Sequence, residues 1–291
     1  MLPFEFLEPQ TLADAIAMLG DHDDDACVFG GGTALLLAMR QRMIAANVVV
    51  SLGALDQLRG VTFSPGQGLR IGAMTCHAEI ARAEPVHAHY PVLAQLFSGL
   101  ANPQVRNQGT VGGNVCYADP ATDPQSCLIA LGANVIIAGP DGERRLPMRE
   151  FVVDFFTTAL EPGEILTQII VPPPSPQTVG HYRRLLRTPA EHRPVANVSL
   201  VVTERSNAWD AVSLVIGAAV PVAQTMYRAE AFLCGRPLSL DLAEEAAQIV
   251  AEDLNPVSDG RGDAAFRTQI VRAATRRIIA EAAGLDWSKA S

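Results

Sequence analysis

Two glycine-rich segments hold the residue types from which this chain could build a ligand site. In Gly109-Thr110-Val111-Gly112-Gly113-Asn114-Val115-Cys116-Tyr117-Ala118-Asp119-Pro120-Ala121-Thr122-Asp123, the pair Gly112-Gly113 lets backbone N–H groups approach an anion, and Thr110 and Asn114 add short side-chain donors. Asp119 and Asp123 would repel a phosphate lying beside them, so in such a loop they face the hydroxyl or N–H groups of the same ligand. An anion cradle with carboxylates turned to hydroxyls suits a nucleotide.

The second segment, Val28-Phe29-Gly30-Gly31-Gly32-Thr33-Ala34-Leu35, follows the apolar run Ala26–Phe29 and leads into Leu36-Leu37-Ala38-Met39-Arg40. Strand, glycine turn and helix start, with Thr33 as N-cap, would set a pyrophosphate on amide groups and on the positive end of a helix. The two turns read as halves of one cradle. Taken singly, Gly30-Gly31-Gly32 serves equally well as a tight strand-to-helix connection. Leu35 stands where a Rossmann fingerprint has its third glycine, and no Gly-Lys-Ser/Thr ending is present, so neither a Rossmann nor a Walker-type site is written here.

The elements that must position these turns follow from patterning. Thr11-Leu12-Ala13-Asp14 opens a helix through Leu19 with a capping box that has Asp in place of Glu. Strand 26–29, helix 33–43 and strand 47–52 make a β-α-β unit. Segments 60–64 and 69–72 flank the turn Pro65-Gly66-Gln67-Gly68, a hairpin signal. Helices are expected at 77–83 and 91–100, and another, capped by Thr122 or Asp123 with Pro124 in its first turn, runs to Leu131. A hairpin at 135–146 and a strand at 165–171 complete a second lobe, with the ligand between lobes. Pro172-Pro173-Pro174-Ser175-Pro176 is a stiff linker. Beyond it, 195–203 and 211–219 read as strands and 221–234, 239–253 and 262–283 as helices.

Composition narrows the function. The 291 residues carry a formal net charge of −9, with 48% hydrophobic and 18% charged residues. That describes an ordinary globular chain, long enough for two modest domains or one large one with an appendage, and nothing pairs basic with aromatic residues as a nucleic-acid partner would require. The densest basic run, Arg183-Arg184-Leu185-Leu186-Arg187, is either a solvated strand edge or a ligand-facing patch. No run approaches a bilayer span and Met1–Glu5 lacks a signal-peptide pattern, so a cytoplasmic location is expected. The five cysteines, Cys27, Cys76, Cys116, Cys127 and Cys234, form no Cys-x-x-Cys pair, so no zinc or iron–sulfur site is expected. Lys289 is the only lysine, which leaves no Schiff-base chemistry. There is no triad and no paired carboxylate, and His77 and His181 read as structural residues.

The two glycine segments resemble the paired flavin-binding signatures of the FAD-binding, or medium, subunit of molybdenum hydroxylases, in the carbon monoxide dehydrogenase and xanthine dehydrogenase superfamily. The resemblance extends in family order through Ile71-Gly72-Ala73-Met74-Thr75-Cys76-His77-Ala78-Glu79-Ile80, Pro162-Gly163-Glu164-Ile165-Leu166, Tyr182-Arg183-Arg184 and Pro256-Val257-Ser258-Asp259-Gly260-Arg261-Gly262. It implies an α+β fold: a two-lobed FAD-binding domain of the vanillyl-alcohol-oxidase/PCMH type over 1–175, with lobes of about 1–56 and 57–175. A C-terminal domain of antiparallel sheet plus helices follows over 177–291. It implies FAD held by Val28, Phe29, Gly30, Gly31, Gly32, Thr33, Ala34 and Leu35 around the diphosphate. Thr110, Val111, Gly112, Gly113 and Asn114 would do likewise, with Asp123 accepting from FAD hydroxyls, Leu166 as an apolar flavin contact and Arg183 where relatives have a lysine. No residue is assigned as catalytic, because the flavin itself supplies the redox chemistry. Where relatives often place an aromatic cover for the flavin, this chain has Ala190-Glu191-His192-Arg193-Pro194, and His192 or Arg193 would have to serve. The implied partners are a small subunit with two [2Fe–2S] clusters and a molybdopterin-binding large subunit, in a dimer of heterotrimers. Electrons would pass through the flavin to an external acceptor. The alternatives are a stand-alone FAD oxidoreductase and a non-catalytic assembly subunit.

Overall fold

The computed structural model describes residues 1–22, 25–188 and 190–286, so Asp23, Asp24, Pro189 and the lone Lys289 lie outside the described residues. The chain begins with β1 (Glu5–Leu7), α1 (Leu12–His22), β2 (Ala26–Phe29), α2 (Leu35–Arg40) and β3 (Val48–Ser51). These strands form a parallel sheet in the order β1-β3-β2, the arrangement that a right-handed β-α-β crossover produces. At the start of α1, Thr11 Oγ1 accepts from the Asp14 amide at 3.1 Å and donates to the Asp14 carboxylate at 2.7 Å.

A second lobe follows: β4 (Val61–Ser64), β5 (Gly68–Gly72), α3 (His77–Arg82), α4 (Glu84–His89), α5 (Pro91–Gly99), α6 (Pro103–Gln108), α7 (Val111–Tyr117) and α8 (Pro124–Ala130). It continues with β6 (Asn134–Gly139), β7 (Gly142–Pro147), α9 (Met148–Phe151), the short hairpin β8 (Val152–Asp154) and β9 (Thr157–Thr158), and β10 (Ile165–Val171). Its antiparallel sheet runs β4-β5-β10-β6-β7. One face of that sheet buries Leu69, Ile71, Val135, Ile137 and Ile169 against Leu93, Phe97, Val111, Val115 and Leu128 of the helices. Residues 172–175 then cross without secondary structure, anchored where Tyr90 Oη donates to the Pro172 carbonyl at 2.7 Å.

The remainder is β11 (Thr178–Leu185), β12 (Ala196–Arg205), β13 (Ala208–Gly217), β14 (Gln224–Thr225), α10 (Tyr227–Leu233), α11 (Leu240–Asp253) and α12 (Ala264–Ala282). The sheet order is β11-β12-β13-β14, and helices cover it through a core that includes Val198, Leu200, Ile216, Val250, Val271 and Ile278. The basic run at 183–187 lies at the end of β11, an edge strand. The expected helix over 221–234 shrinks to α10, because Gln224 and Thr225 pair with β13 first.

Two local expectations fail. Thr33 is not the N-cap of α2: Ala34 holds that position with no side-chain cap, and the helix has only six residues. Segment 109–123 is not an open loop, since Gly112 and Gly113 sit in the first turn of α7. Glycine costs about 1 kcal/mol in a helix relative to Ala, but tertiary contact decides here. A Cβ on Gly112 would stand 2.6 Å from Ala73 Cβ and 2.8 Å from Ala73 O. The helix can pack this closely on the turn that follows β5 only without a side chain there.

Candidate functional site

The first glycine turn leaves its backbone donors free. Among the described residues, none of the amides of Gly30, Gly31, Gly32, Thr33 and Ala34 has a hydrogen-bond partner, whereas the Leu36 amide donates to Gly32 O at 3.1 Å and the Ala38 amide to Ala34 O at 3.0 Å. Five successive amides without a partner in the chain, on a half-buried turn, are available to an acceptor from outside it. Gly32 takes φ +69°, which turns the chain sharply beneath the Phe29 ring. Phe29 is fixed by an edge contact to Phe6, with centroids 5.8 Å apart. Val28 is exposed, and Leu35 packs with Met39 and Val49.

The second segment closes against the first. A Cβ on Gly31 would lie 2.8 Å from both Gln108 C and Gly109 Cα, and closer still to Gln108 O. A Cβ on Gly30 or on Gly113 would lie 2.9 Å from Thr110 Oγ1. The two turns are therefore joined at a seam of bare backbone, and exposed Gly113 lies beside the free amides. Four successive amides of the second segment are engaged within the protein. Val111 N donates to Thr75 O at 3.0 Å, Gly112 N to Ala73 O at 2.9 Å, Gly113 N to Thr110 Oγ1 at 3.1 Å and Asn114 N to Thr110 O at 3.0 Å. Of the two expected amide cradles the first offers a run of five N–H groups, while the second keeps only that of Thr110 without a partner among the described residues and contributes close backbone and the half-buried Asn114, which takes the Thr122 hydroxyl at 2.7 Å.

The carboxylates beyond α7 are held by β11 and by the segment between β11 and β12. Asp123 is buried, accepts from Tyr182 Oη, and has Arg184 Nε 3.3 Å from its Oδ2. Burial pushes its carboxyl up to about 6, while Arg184 and the Tyr182 hydroxyl oppose that rise. Asp119 accepts from the Ala121 amide at 2.9 Å and pairs with Arg193. Beneath them, Ser126 Oγ donates to Asn197 Oδ1 at 2.7 Å and Asn197 Nδ2 donates to Thr122 O at 2.9 Å, entirely out of water.

Not every expected residue joins this group. Leu166 is buried in the core of the second lobe, paired with Ile137 across the sheet. Arg183 points to the opposite face of β11 from Tyr182 and Arg184, as strand alternation requires, and pairs with Glu281 on α12. His192 contributes its carbonyl to Arg184, and Arg193 reaches Asp119. His77 is buried, stacked on Phe97 with ring centroids 5.6 Å apart, and burial lowers its pKa to about 4, so it stays neutral. Tyr182 and Arg184 carried no assigned role in the sequence reading. Their two-residue spacing on a strand was the available signal.

The comparisons agree with this geometry. Residues 2–174 match the model of the FAD binding domain in molybdopterin dehydrogenase, and 180–282 match the CO dehydrogenase flavoprotein C-terminal domain. The carbon monoxide dehydrogenase medium chain of Afipia carboxidovorans is 30% identical, over 97% of this chain and 98% of its own. The nicotine 6-hydroxylase medium subunit of Paenarthrobacter nicotinovorans is 31% identical over 95% and 96%. Reconstituted CO dehydrogenase from Oligotropha carboxidovorans contains a chain that superposes with a TM-score of 0.93 at 28% identity, covering 98% of this chain and all of the other. With free amides at the first turn, a glycine seam at the second and both domain models matched in order, this chain belongs to the FAD-binding medium subunits of the carbon monoxide and xanthine dehydrogenase type of molybdenum hydroxylases.

Proposed function

We propose that the chain is the electron-relay subunit of its complex, receiving electrons from [2Fe–2S] clusters on a small partner subunit and passing them to an external acceptor. A molybdopterin-binding large subunit would carry the substrate chemistry, in a dimer of heterotrimers in the cytoplasm. The observation that carries the flavin site is the run of five free amides from Gly30 to Ala34 against the Gly109–Gly113 backbone. These groups suit the pyrophosphate of FAD, and the ionised Asp123 suits hydroxyl groups of the same molecule. FAD, when bound, supplies an acceptor for one or two electrons. The protein's task is then to bind and orient it, and no histidine is offered as a proton donor: His77 is neutral and shielded, and burial also lowers the pKa of His181. That the relatives are named as medium chains and medium subunits supports a heteromeric assembly. No helix among the described residues is long and apolar enough to cross a membrane.

The test is an absorbance spectrum of the purified full chain before and after dithionite, with the released cofactor identified, followed by co-purification of tagged chain from its native host. Bleachable flavin bands, released FAD and two co-purifying subunits of which one carries iron–sulfur absorption are the expected result. A colourless chain that cannot be reconstituted with FAD refutes the reading.

A further inference from the structure

Both carboxylates of the second glycine segment are paired with arginines of the C-terminal domain. Asp123 meets Arg184 on β11, and Asp119 meets Arg193 on the segment between β11 and β12. The contacts are unequal in depth. The Arg184 and Asp123 side chains are 15% and 5% exposed, those of Arg193 and Asp119 55% and 12%. Arg184 is further fixed by its other guanidinium nitrogens, donating to Gly99 O at 2.6 Å and to His192 O. Tyr182, two residues earlier on the same strand face, donates its hydroxyl to Asp123 Oδ1. Oδ1 of the Asp123 carboxylate therefore accepts one hydrogen bond from β11, and Oδ2 faces the Arg184 guanidinium at ion-pair distance, which leaves acceptor capacity on both oxygens.

This arrangement settles an electrostatic difficulty. Two anionic side chains close to a pyrophosphate site would weaken it, and a buried carboxylate without a cation would protonate, which turns one of its acceptor oxygens into a donor. Arg184 and Arg193 compensate the charge, and Arg184 with Tyr182 favours the ionised form of Asp123.

We propose that Tyr182 and Arg184 are positioning residues for the cofactor, holding Asp123 oriented and ionised so that tight FAD retention by the two glycine turns requires the docked C-terminal sheet. The proposal rests on the FAD reading above. Tyr182 and Arg184 act through Asp123 and need not touch the flavin. The titratable or charged groups that face Asp123 among the described residues are these two, with Cys127 of α8 beside Tyr182, its thiol pushed up to about 12 and neutral. Protonation of Asp123 discharges it and turns one acceptor oxygen into a donor, so flavin retention falls as pH drops through about 6.

The test uses the full chain in its complex, with Tyr182→Phe and Arg184→Gln alone and combined with Asp123→Asn. The readouts are the FAD dissociation constant by flavin fluorescence and the pH midpoint of flavin loss. Tyr182→Phe keeps the ring and is expected to weaken FAD about 5-fold, from the size of one hydrogen bond, and Arg184→Gln roughly 10- to 100-fold, because the buried Asp123 carboxylate then loses its cation. Both single variants should move the midpoint to higher pH. In the Asp123→Asn background both effects should vanish. Unchanged affinity and midpoint in Tyr182→Phe and Arg184→Gln overturn the proposal. Equal losses with and without the Asp123 carboxylate also overturn it, because the two residues would then be serving the fold alone. A wild-type complex without FAD instead refutes the reading on which the proposal stands.

Discussion

Gly31→Ala adds a single methyl group at the seam between the two glycine turns, and its effect follows from backbone distances. The new Cβ would stand 2.8 Å from Gln108 C and Gly109 Cα, about 0.6 Å short of ordinary contact at 3.4 Å, and nearer still to Gln108 O. All three atoms are backbone, so no rotamer change relieves the clash. Gly31 does not have positive φ, so the cost is packing rather than dihedral strain. Overpacking of this kind costs about 1–3 kcal/mol, and relief comes from parting the turns. If the parted seam moves the free amides of residues 30–34 away from their ligand, that energy becomes a loss of FAD affinity of about 5- to 150-fold. Gly20→Ala is the control. It lies within α1 with nothing within 4 Å of its Cβ, and should stabilise by about 0.5–1 kcal/mol through helix propensity. Flavin fluorescence titration and thermal unfolding with and without FAD give both numbers. Gly31→Ala with wild-type affinity and wild-type melting temperature would refute the assignment of the seam.

Two further outcomes concern stability. Arg267 is fully buried and donates to Val195 O at 2.8 Å, Ala218 O at 2.7 Å and Asp259 Oδ1 at 2.6 Å, so Asp259→Asn strips it of its counter-ion and should cost about 3–5 kcal/mol in chemical denaturation. Burial opposes the ionisation of Asp259, but hydrogen bonds from Arg261, its amide and Arg267 hold the carboxyl well below the usual range; the pair's stabilisation is complete above the unfolded pKa near 4 and is lost only in stronger acid. Asp123 behaves oppositely: its folded pKa, raised to about 6 by burial, means the protonated form favours folding. The stability of the flavin-free wild type relative to Asp123→Asn should therefore rise as pH falls from 7 towards 4, by at most about 3 kcal/mol, and denaturant titrations across that range check it.

The sequence made the strands legible wherever side chains alternate or turns carry their own chemistry. Pro65-Gly66-Gln67-Gly68 marked the β4–β5 hairpin, and β10 was read over the residues it occupies. Helix α7 was hidden because Gly112-Gly113 reads locally as a loop, and its stability comes from contact with Ala73, a partner that spacing does not reveal. The same limit concealed the pairing of Asp119 and Asp123 with arginines more than fifty residues later in the sequence. The Pro256–Gly262 motif was visible as a family signature. Its physical purpose appears only with Arg267, which Asp259 and the carbonyls of two strand ends surround.

The ion pairs that cross from the C-terminal sheet also set an order of events during biosynthesis. A ribosome delivers residues 1–175 first, with the free amides of the first turn in place but with Asp119 and Asp123 still without Arg193 and Arg184. Strand β11 cannot take its place in its sheet until β12 has emerged to pair with it. Secure capture of the cofactor therefore belongs to the finished polypeptide rather than to the nascent chain, and a translation product truncated in the linker should leave the ribosome as an acidic, weakly loaded fragment.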